Sequence, residues 1–344
     1  MFIKDAWYMA GWSGDLADKP LGRVMLNEPL VLFRGVDGTV GALEDRCCHR
    51  GFPLAHARRV ENRLQCGYHG LEFDRSGQCV KVPGQDLVPP GAQVRSYPVV
   101  EQDEIIWVWM GDPAKADPAK IISYPFHASW PHRSTTYHIN CNYQLVLDNL
   151  LDLTHLGYVH STTVGGNPDE HVRAEMKTDR TPTGVKFIRW LLNSVPPPTY
   201  VDGAGFKGRV DRWQEFEFIA PATVLQFTGA LDVGTGAYEE GKREGGFALR
   251  IFHGITPETE HTAHYFWSAA HGMRMDEPAV TERVFQQIDK AFKEDEFVLA
   301  EQYQRMLEFP DRNYVDINAD GARIQARRTI DRLIAAERGA QAAE

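Results

Sequence analysis

Cys47-x-His49 and Cys66-x-x-His69, with sixteen residues between the two motifs, constrain this chain more than any other feature. Two Cys-His pairs on two loops can hold a 2Fe–2S cluster in which one iron takes two thiolates and the other takes two imidazoles. Neutral imidazoles leave such a cluster less negative than a four-thiolate one. Its potential rises accordingly, and an ordinary ferredoxin-type donor can reduce it. Cys47-Cys48-His49-Arg50-Gly51 and Cys66-Gly67-Tyr68-His69-Gly70 both read as loops, with glycine where backbone passes close to sulfide. The alternative is a zinc site. Structural zinc, however, usually shows paired cysteines with paired histidines, or four cysteines.

A second candidate metal site follows at Asp152-x-x-His155-x4-His160. Two histidines with a later carboxylate can form the facial triad of a mononuclear non-heme Fe(II), leaving positions open for O2. The apolar spacing of Leu147, Leu150, Leu151 and Leu153 predicts a helix over about 143–160, with Asp152 and His155 on one face. His155 and His160 lie about 140° apart on an ideal helix. Both reach one metal only if the helix ends or bulges into a π-turn near Gly157, and such a break is expected there. The carboxylate should come from a distant helix. The stretch 277–309 starts with a capping residue and an early proline, and carries Val284, Ile288, Phe292 and Leu299 at helical spacing. Within it, Glu294, Asp295 and Glu296 are equally placed by spacing, and a solvated charged face is the alternative for all three.

The chain divides into two expected domains, 1–115 and 116–344. The first has short strand-like runs, with Asp37-Gly38 and Ser76-Gly77 as hairpin signals, so an all-β domain carrying the cluster motifs is predicted. Asp112-Pro113 to Asp117-Pro118 reads as the linker. The second has alternating runs at 184–189, 212–218, 223–228, 247–253 and 263–268, which predict an antiparallel sheet with helices at about 143–160, 277–309 and 320–338. A net charge of −10 disfavours nucleic acid as partner. No signal peptide or membrane-length apolar run is found, and five cysteines give no disulfide framework, so a cytoplasmic protein is expected. No dinucleotide or flavin fingerprint occurs; the glycines at 229–246 lack the strand–turn–helix context. NADH would therefore act only through a separate reductase.

Further motifs run along nearly the whole length. They include Asp5-Ala6-Trp7-Tyr8, Lys19-Pro20-Leu21-Gly22-Arg23, Ile106-Trp107-Val108-Trp109, Asp148-Asn149-Leu150, Tyr158-Val159-His160, Tyr265-Phe266-Trp267 and Arg327-Arg328-x-Ile330-Asp331-Arg332. In these the chain resembles the oxygenase components of Rieske non-heme iron aromatic monooxygenases. It is most similar to the vanillate O-demethylase type, with dicamba O-demethylases as more distant relatives. The resemblance implies an α+β architecture: an all-β Rieske 2Fe–2S domain, then a helix-grip-like catalytic domain with antiparallel sheet and helices. Carried over position by position, it assigns the cluster to Cys47, His49, Cys66 and His69, and the iron to His155, His160 and Asp295. Cys48 stands where the family commonly has proline. The resemblance also implies a homotrimer in which Asp152, supported by Asn149, bridges the cluster of one subunit to the iron of the next. It implies a separate flavin/iron–sulfur reductase, and a small aromatic substrate facing His253 and Gln226. Arg189, Arg250 and His253 are candidates to meet a benzoate carboxylate, and 229–246 with Val195-Pro196-Pro197-Pro198 to cover the entrance. Three readings follow: aromatic O-demethylation; the same machinery used for hydroxylation, N-demethylation or methyl oxidation; and a Rieske carrier or zinc-stabilised binding module.

Overall fold

The computed structural model describes residues 1–341, with side chains through residue 339. The chain forms two compact units. One is Met1–Ser123 with Thr256–Glu260; the other is Tyr124–Ile255 with the chain from His261 onward. The first unit consists of three small antiparallel sheets. Trp7–Trp12, Ile105–Trp109 and Val99–Gln102 make one; Leu21–Met25, Glu28–Arg34 and Val40–Glu44 make another; Arg58–Val60, Arg63–Gln65, Glu72–Phe73 and Cys79–Lys81 make the third. The two hairpin signals fall at hairpins, between Glu28–Arg34 and Val40–Glu44 and between Glu72–Phe73 and Cys79–Lys81. The segment read as a linker is ordered within this unit. Asp112 and Asp117 each cap a short 3-10 turn, at Pro113–Lys115 and Pro118–Lys120. The Asp117 carbonyl also accepts a 2.9 Å hydrogen bond from the Trp7 indole.

The second unit is built on one antiparallel sheet of seven strands: β1 His132–Ile139, β2 Glu175–Arg180, β3 Gly184–Ser194, β4 Val210–Ile219, β5 Thr223–Asp232, β6 Phe247–Pro257 and β7 Ala263–His271. Their spatial order is β1-β7-β6-β5-β4-β3-β2. Strand alternation places Phe216, Gln214 and Arg212 of β4 on one face and Trp213 on the other. The helices of this unit include α1 Tyr143–Leu150, α2 Leu156–Val159, α3 Pro198–Ala204, α4 Pro278–Glu308 and α5 Gly321–Gln341, besides two short ones at Phe126–Ser129 and Pro168–Val172. The α4 stripe Val280, Val284, Ile288, Ala291, Phe292 and Leu299 is buried, as its spacing predicts. Helix α1 is tied to α5 by Arg327, whose Nε and Nη2 donate to Asp148 at 3.0 and 2.5 Å. Among the described residues no helix is long and apolar enough to cross a membrane.

The 143–160 segment departs from the single bulged helix expected. Helix α1 stops at Leu150, and Asp152 caps a 3-10 turn, Leu153–His155, that runs into α2. The Asp152 carboxylate accepts from the Thr154 amide at 2.9 Å and its hydroxyl at 2.7 Å. This side-chain alternative to the helix ladder moves the break upstream of both histidines. Gly157 has a different role. A Cβ there would lie 2.6 Å from the Pro168 Cα, so glycine permits close backbone packing and makes no π-turn.

Candidate metal centres and the cavity between sheet and helices

The two Cys-His loops have the same backbone. The Cys47 amide donates to the Phe52 carbonyl and the Gly51 amide to the Cys47 carbonyl, both at 2.9 Å. Cys66, Leu71 and Gly70 repeat these bonds at 2.8 and 3.0 Å. Gly51 and Gly70 have φ of 69° and 76°, the left-handed region that glycine enters without strain. A Cβ on Gly70 would also meet the Pro83 Cγ at 2.9 Å. Both thiols are buried beside each other, and burial foremost, then Cys66, pushes the Cys47 thiol up to about 11. The imidazoles of His49 and His69 lie edge to face with centroids 4.5 Å apart. Thus the thiols pair with each other and the imidazoles pair with each other. No three of these ligand atoms converge within 4.8 Å. A tetrahedral zinc needs all four around one point at about 2.0–2.3 Å. A cluster with one iron per pair fits the arrangement, and would hold the thiols as thiolates despite burial.

His155, His160 and Asp295 do converge: one donor atom from each lies within 4.8 Å of the others. Asp295 Oδ1 is 3.5 Å from His155 Nε2 and 3.1 Å from His160 Nε2. The other ring nitrogens are held from behind. His155 Nδ1–H donates to the Asp152 main-chain carbonyl at 2.6 Å, and His160 Nδ1–H donates to Glu294 Oε2 at 2.8 Å. These bonds select the tautomer that leaves each Nε2 lone pair free for a metal. Asn149 Nδ2 donates to Asp295 Oδ1 at 2.9 Å. Burial holds His155 below the ordinary histidine range, against the pull of Asp295. For His160 burial acts the same way, but Asp295 and Glu294 outweigh it and raise the ring. Two imidazoles and a carboxylate on one side, with space on the other, suit Fe(II) with open positions.

That space is a cavity between sheet and helices. Leu150, Leu153, Leu156, Phe216, Ile251 and Phe292 form its apolar walls. Asn149, Thr199, Gln214, Gln226 and Thr228 supply the neutral polar groups. Such a composition suits a small, mostly apolar ligand. Of the two residues expected to face substrate, Gln226 lines the cavity. His253 stands behind it, fully buried, with Nε2 3.0 Å from Gln226 Oε1 and Nδ1 2.7 Å from the Tyr265 hydroxyl. Burial pushes His253 down to about 3, so the ring is neutral. With Gln226 Oε1 accepting from Nε2–H, the glutamine amide is turned to donate to Thr228 Oγ1 at 3.3 Å.

Other expected cavity residues lie elsewhere. Arg250 stacks its guanidinium 3.5 Å from the Phe227 ring centre and does not line the cavity. The 233–246 loop covers the opposite face of the sheet, where Arg243 lies 4.7 and 4.8 Å over the Trp190 and Trp213 rings. The proline run instead leads into α3, which contributes Thr199 and Tyr200. Gln214 and Thr199 escaped the sequence analysis, as did the roles of Glu294 and Tyr265 in holding His160 and His253. Glu294 was visible only as one of three adjacent acids, and Gln214 as a polar residue on an otherwise apolar strand face.

Residues 6–98 match the Rieske [2Fe-2S] domain family, and residues 139–336 match the vanillate O-demethylase oxygenase C-terminal domain family. The chain belongs to the Rieske non-heme iron oxygenases. It is 40% identical to the toluene-4-sulfonate monooxygenase system iron-sulfur subunit of Comamonas testosteroni, covering 99% of this chain and 100% of that one. It is 38% identical to a vanillate O-demethylase oxygenase subunit of Pseudomonas sp. strain HR199, covering 99% and 97%. A crystal structure of dicamba monooxygenase bound to dicamba superposes with a TM-score of 0.90 at 34% identity, covering 98% of this chain and 99% of that one. The fold is therefore the expected Rieske unit followed by a sheet-and-helix catalytic unit. The protein is the oxygenase component of an aromatic monooxygenase system, using a Rieske 2Fe–2S cluster, a mononuclear non-heme iron and a separate reductase.

Proposed function

We propose that this oxygenase oxidises the methyl carbon of an aromatic acid, O-demethylating a methoxylated acid such as vanillate. The supporting observation is the cavity: a largely apolar space lined in part by the converging His155, His160 and Asp295. In this reading Cys47, His49, Cys66 and His69 hold the cluster, and His155, His160 and Asp295 hold the iron. The bound metals supply O2 activation and single-electron delivery. The residues of the chain do the rest. Leu150, Phe216, Ile251 and Phe292 exclude water and hold the ring flat. Asn149 fixes Asp295, and the Asp152 carbonyl and Glu294 fix the two imidazoles. One oxygen atom enters a methyl C–H bond, and the other leaves as water with an electron pair and two protons. The resulting hemiacetal collapses to a phenol and formaldehyde.

A second reading, hydroxylation of a ring methyl, is favoured by the 40% identity to a toluene-4-sulfonate monooxygenase subunit. The two reacting groups, methoxy and methyl, differ by the oxygen between ring and methyl. Reconstituted holoenzyme with a reductase and NADH separates the readings. Formaldehyde in equal amount to a demethylated phenol supports the first, and a benzylic alcohol without formaldehyde supports the second. NADH consumption yielding only peroxide with both substrate types would sink both.

We also propose a homotrimer in which Asp152 links cluster and iron between subunits. Asp152 is partly exposed, and its Oδ2 has no hydrogen-bond partner among the described residues. Nearby Tyr158 and Phe297 are exposed aromatics of the kind an assembly covers. Sedimentation velocity giving only monomer would end this reading.

A further inference from the structure

The cavity wall carries polar groups that no other described residue satisfies. Antiparallel register sets Arg189, Gln214, Thr228 and Leu249 side by side across β3, β4, β5 and β6. Gln214 is buried, lines the cavity, and has no side-chain hydrogen bond; its Oε1 is sealed from solvent. Thr199, 0% exposed, faces the same space with its hydroxyl unpartnered. Buried polar groups in proteins are almost always paired, and an unpaired one is a sign of a missing partner.

Two guanidiniums stand behind this wall. Arg212, 0% exposed, donates to the Gly165 and Val164 carbonyls at 3.3 and 3.1 Å and leaves its Nε unbonded. Arg189, 3% exposed, donates to the Leu153 carbonyl at 2.8 Å and to the His171 carbonyl at 2.5 Å, and touches His171 Nδ1 at 3.1 Å. Val164 and Leu153 are themselves cavity residues, and the Arg212 guanidinium carbon lies 4.7 Å from the ring centre of Tyr200, another. Burial, then Arg212, lowers Arg189 to about 10, so it remains charged at neutral pH. Among the described residues neither arginine makes a direct ion pair, and Asp152 acts on Arg189 only at longer range, so the buried charge is incompletely compensated.

We infer that this part of the cavity wall is the seat for the anionic substituent of the aromatic substrate. Gln214 and Thr199 bond it, and the buried pair Arg189 and Arg212 supplies the opposing charge. The inference rests on the reading above that the cavity holds an aromatic acid, and adds which residues recognise the acid group. It divides the labour that a single surface arginine would combine. Neutral amide and hydroxyl groups give direction, and charges one layer back give sign. A carboxylate or sulfonate fits; a neutral group of the same shape leaves the guanidiniums incompletely compensated.

The test is calorimetric titration of oxygen-free holoenzyme with two isosteric pairs: 4-methoxybenzoate against 4-methoxybenzamide, and toluene-4-sulfonate against methyl 4-tolyl sulfone. Wild type should prefer each anion. Gln214→Leu and Thr199→Val should each weaken anion binding about 10- to 100-fold, the range for a hydrogen bond to a charged group. The neutral probes, whose oxygens accept weaker bonds from the same groups, should lose less, about 2- to 10-fold. Gln214→Glu, nearly isosteric, should abolish the preference for anions. Equal wild-type affinity for anion and neutral isostere would overturn the inference, as would variants that lose both members of a pair equally. If wild type and variants bind and oxidise the anions alike, the inference falls while the functional reading stands. If no probe is bound or oxidised, both fall together.

Discussion

Glu294 offers a quantitative test of how the iron site is built. Its carboxylate accepts from His160 Nδ1 at 2.8 Å, and His160 is 1% exposed. Removing the carboxylate leaves that N–H without an acceptor and frees the ring to turn Nε2 away from Asp295. Outer-shell partners of metal-bound histidines are typically worth 10- to 100-fold in metal affinity, about 1.4–2.7 kcal/mol. The Glu294 side chain is 29% exposed, so water screens its charge and can replace part of the bond. Glu294→Ala should therefore weaken Fe(II) binding by about 10- to 30-fold, toward the lower part of that range. Glu294→Gln keeps an acceptor oxygen and should lose about threefold. The assay is anaerobic competition between a chromophoric chelator and cluster-loaded enzyme, with the nitrosyl electron-resonance signal reporting the occupied site. Cluster absorbance is the internal control. An Ala variant with intact cluster absorbance and wild-type iron affinity would refute the claim that Glu294 positions His160.

Other expectations follow from the same geometry. Asn149→Ala removes the 2.9 Å bond to Asp295 Oδ1 and should weaken iron binding about fivefold, measured in the same competition assay. Asp152→Asn should retain cluster and iron, by metal analysis and absorption, yet lose substrate-coupled NADH oxidation; normal turnover would remove the bridge. Gly70→Ala forces a left-handed φ of 76° on alanine and drives Cβ to 2.9 Å from Pro83, so cluster content per chain should fall while iron binding persists. His171, held to about 4 by burial foremost, is neutral in the fold but takes a proton when unfolded below about 6.5. Its contribution is present above that value and is lost as pH falls toward 4, a loss of about 3 kcal/mol. Melting temperature should fall through that window in wild type, and less steeply in His171→Asn.

Much of the plan is legible in sequence because its signals are local. Cys47, His49, Cys66 and His69 sit on two loops with one backbone pattern, so spacing and terminal glycines suffice. The strands of the catalytic sheet announce themselves by alternation, and α4 by its apolar stripe. The break before His155 was misplaced because two local signals compete. Gly157 looks like the helix breaker, but the Asp152 carboxylate ends the helix first by bonding Thr154. The choice of Asp295 over Glu294 and Glu296 is not in the periodicity at all. It depends on which side chain meets residues 149, 155 and 160 across the fold. Pairing register is equally invisible, so Gln214 beside Arg189 and Thr228 could not be read from any one strand.

Charge then differs between two parts of the site. Asp295 and Glu294 stand with the two imidazoles, while Arg189 and Arg212 stand on the sheet beside Gln214 without a direct ion pair, Asp152 acting on Arg189 only at longer range. Across one intervening layer, at a separation of about 8 Å and an effective dielectric near 20, one pair of unit charges interacts by about 2 kcal/mol. Even a fraction of that outweighs the small difference between two orientations of a flat ring in an apolar slot. On the proposed reading, an aromatic acid would be oriented with its acid group toward the sheet and its far substituent toward His155 and His160. The walls do not read whether that substituent is methoxy or methyl. Selection between them falls to length along this axis, which Phe216, Ile251 and Phe292 can alter without touching either end. Enlarging the slot midway, with Phe216→Leu, should therefore shift relative turnover among para-substituted acids while leaving their requirement for the acid group intact. A variant that begins to accept neutral aromatics would show that shape, and not charge, sets the direction of entry.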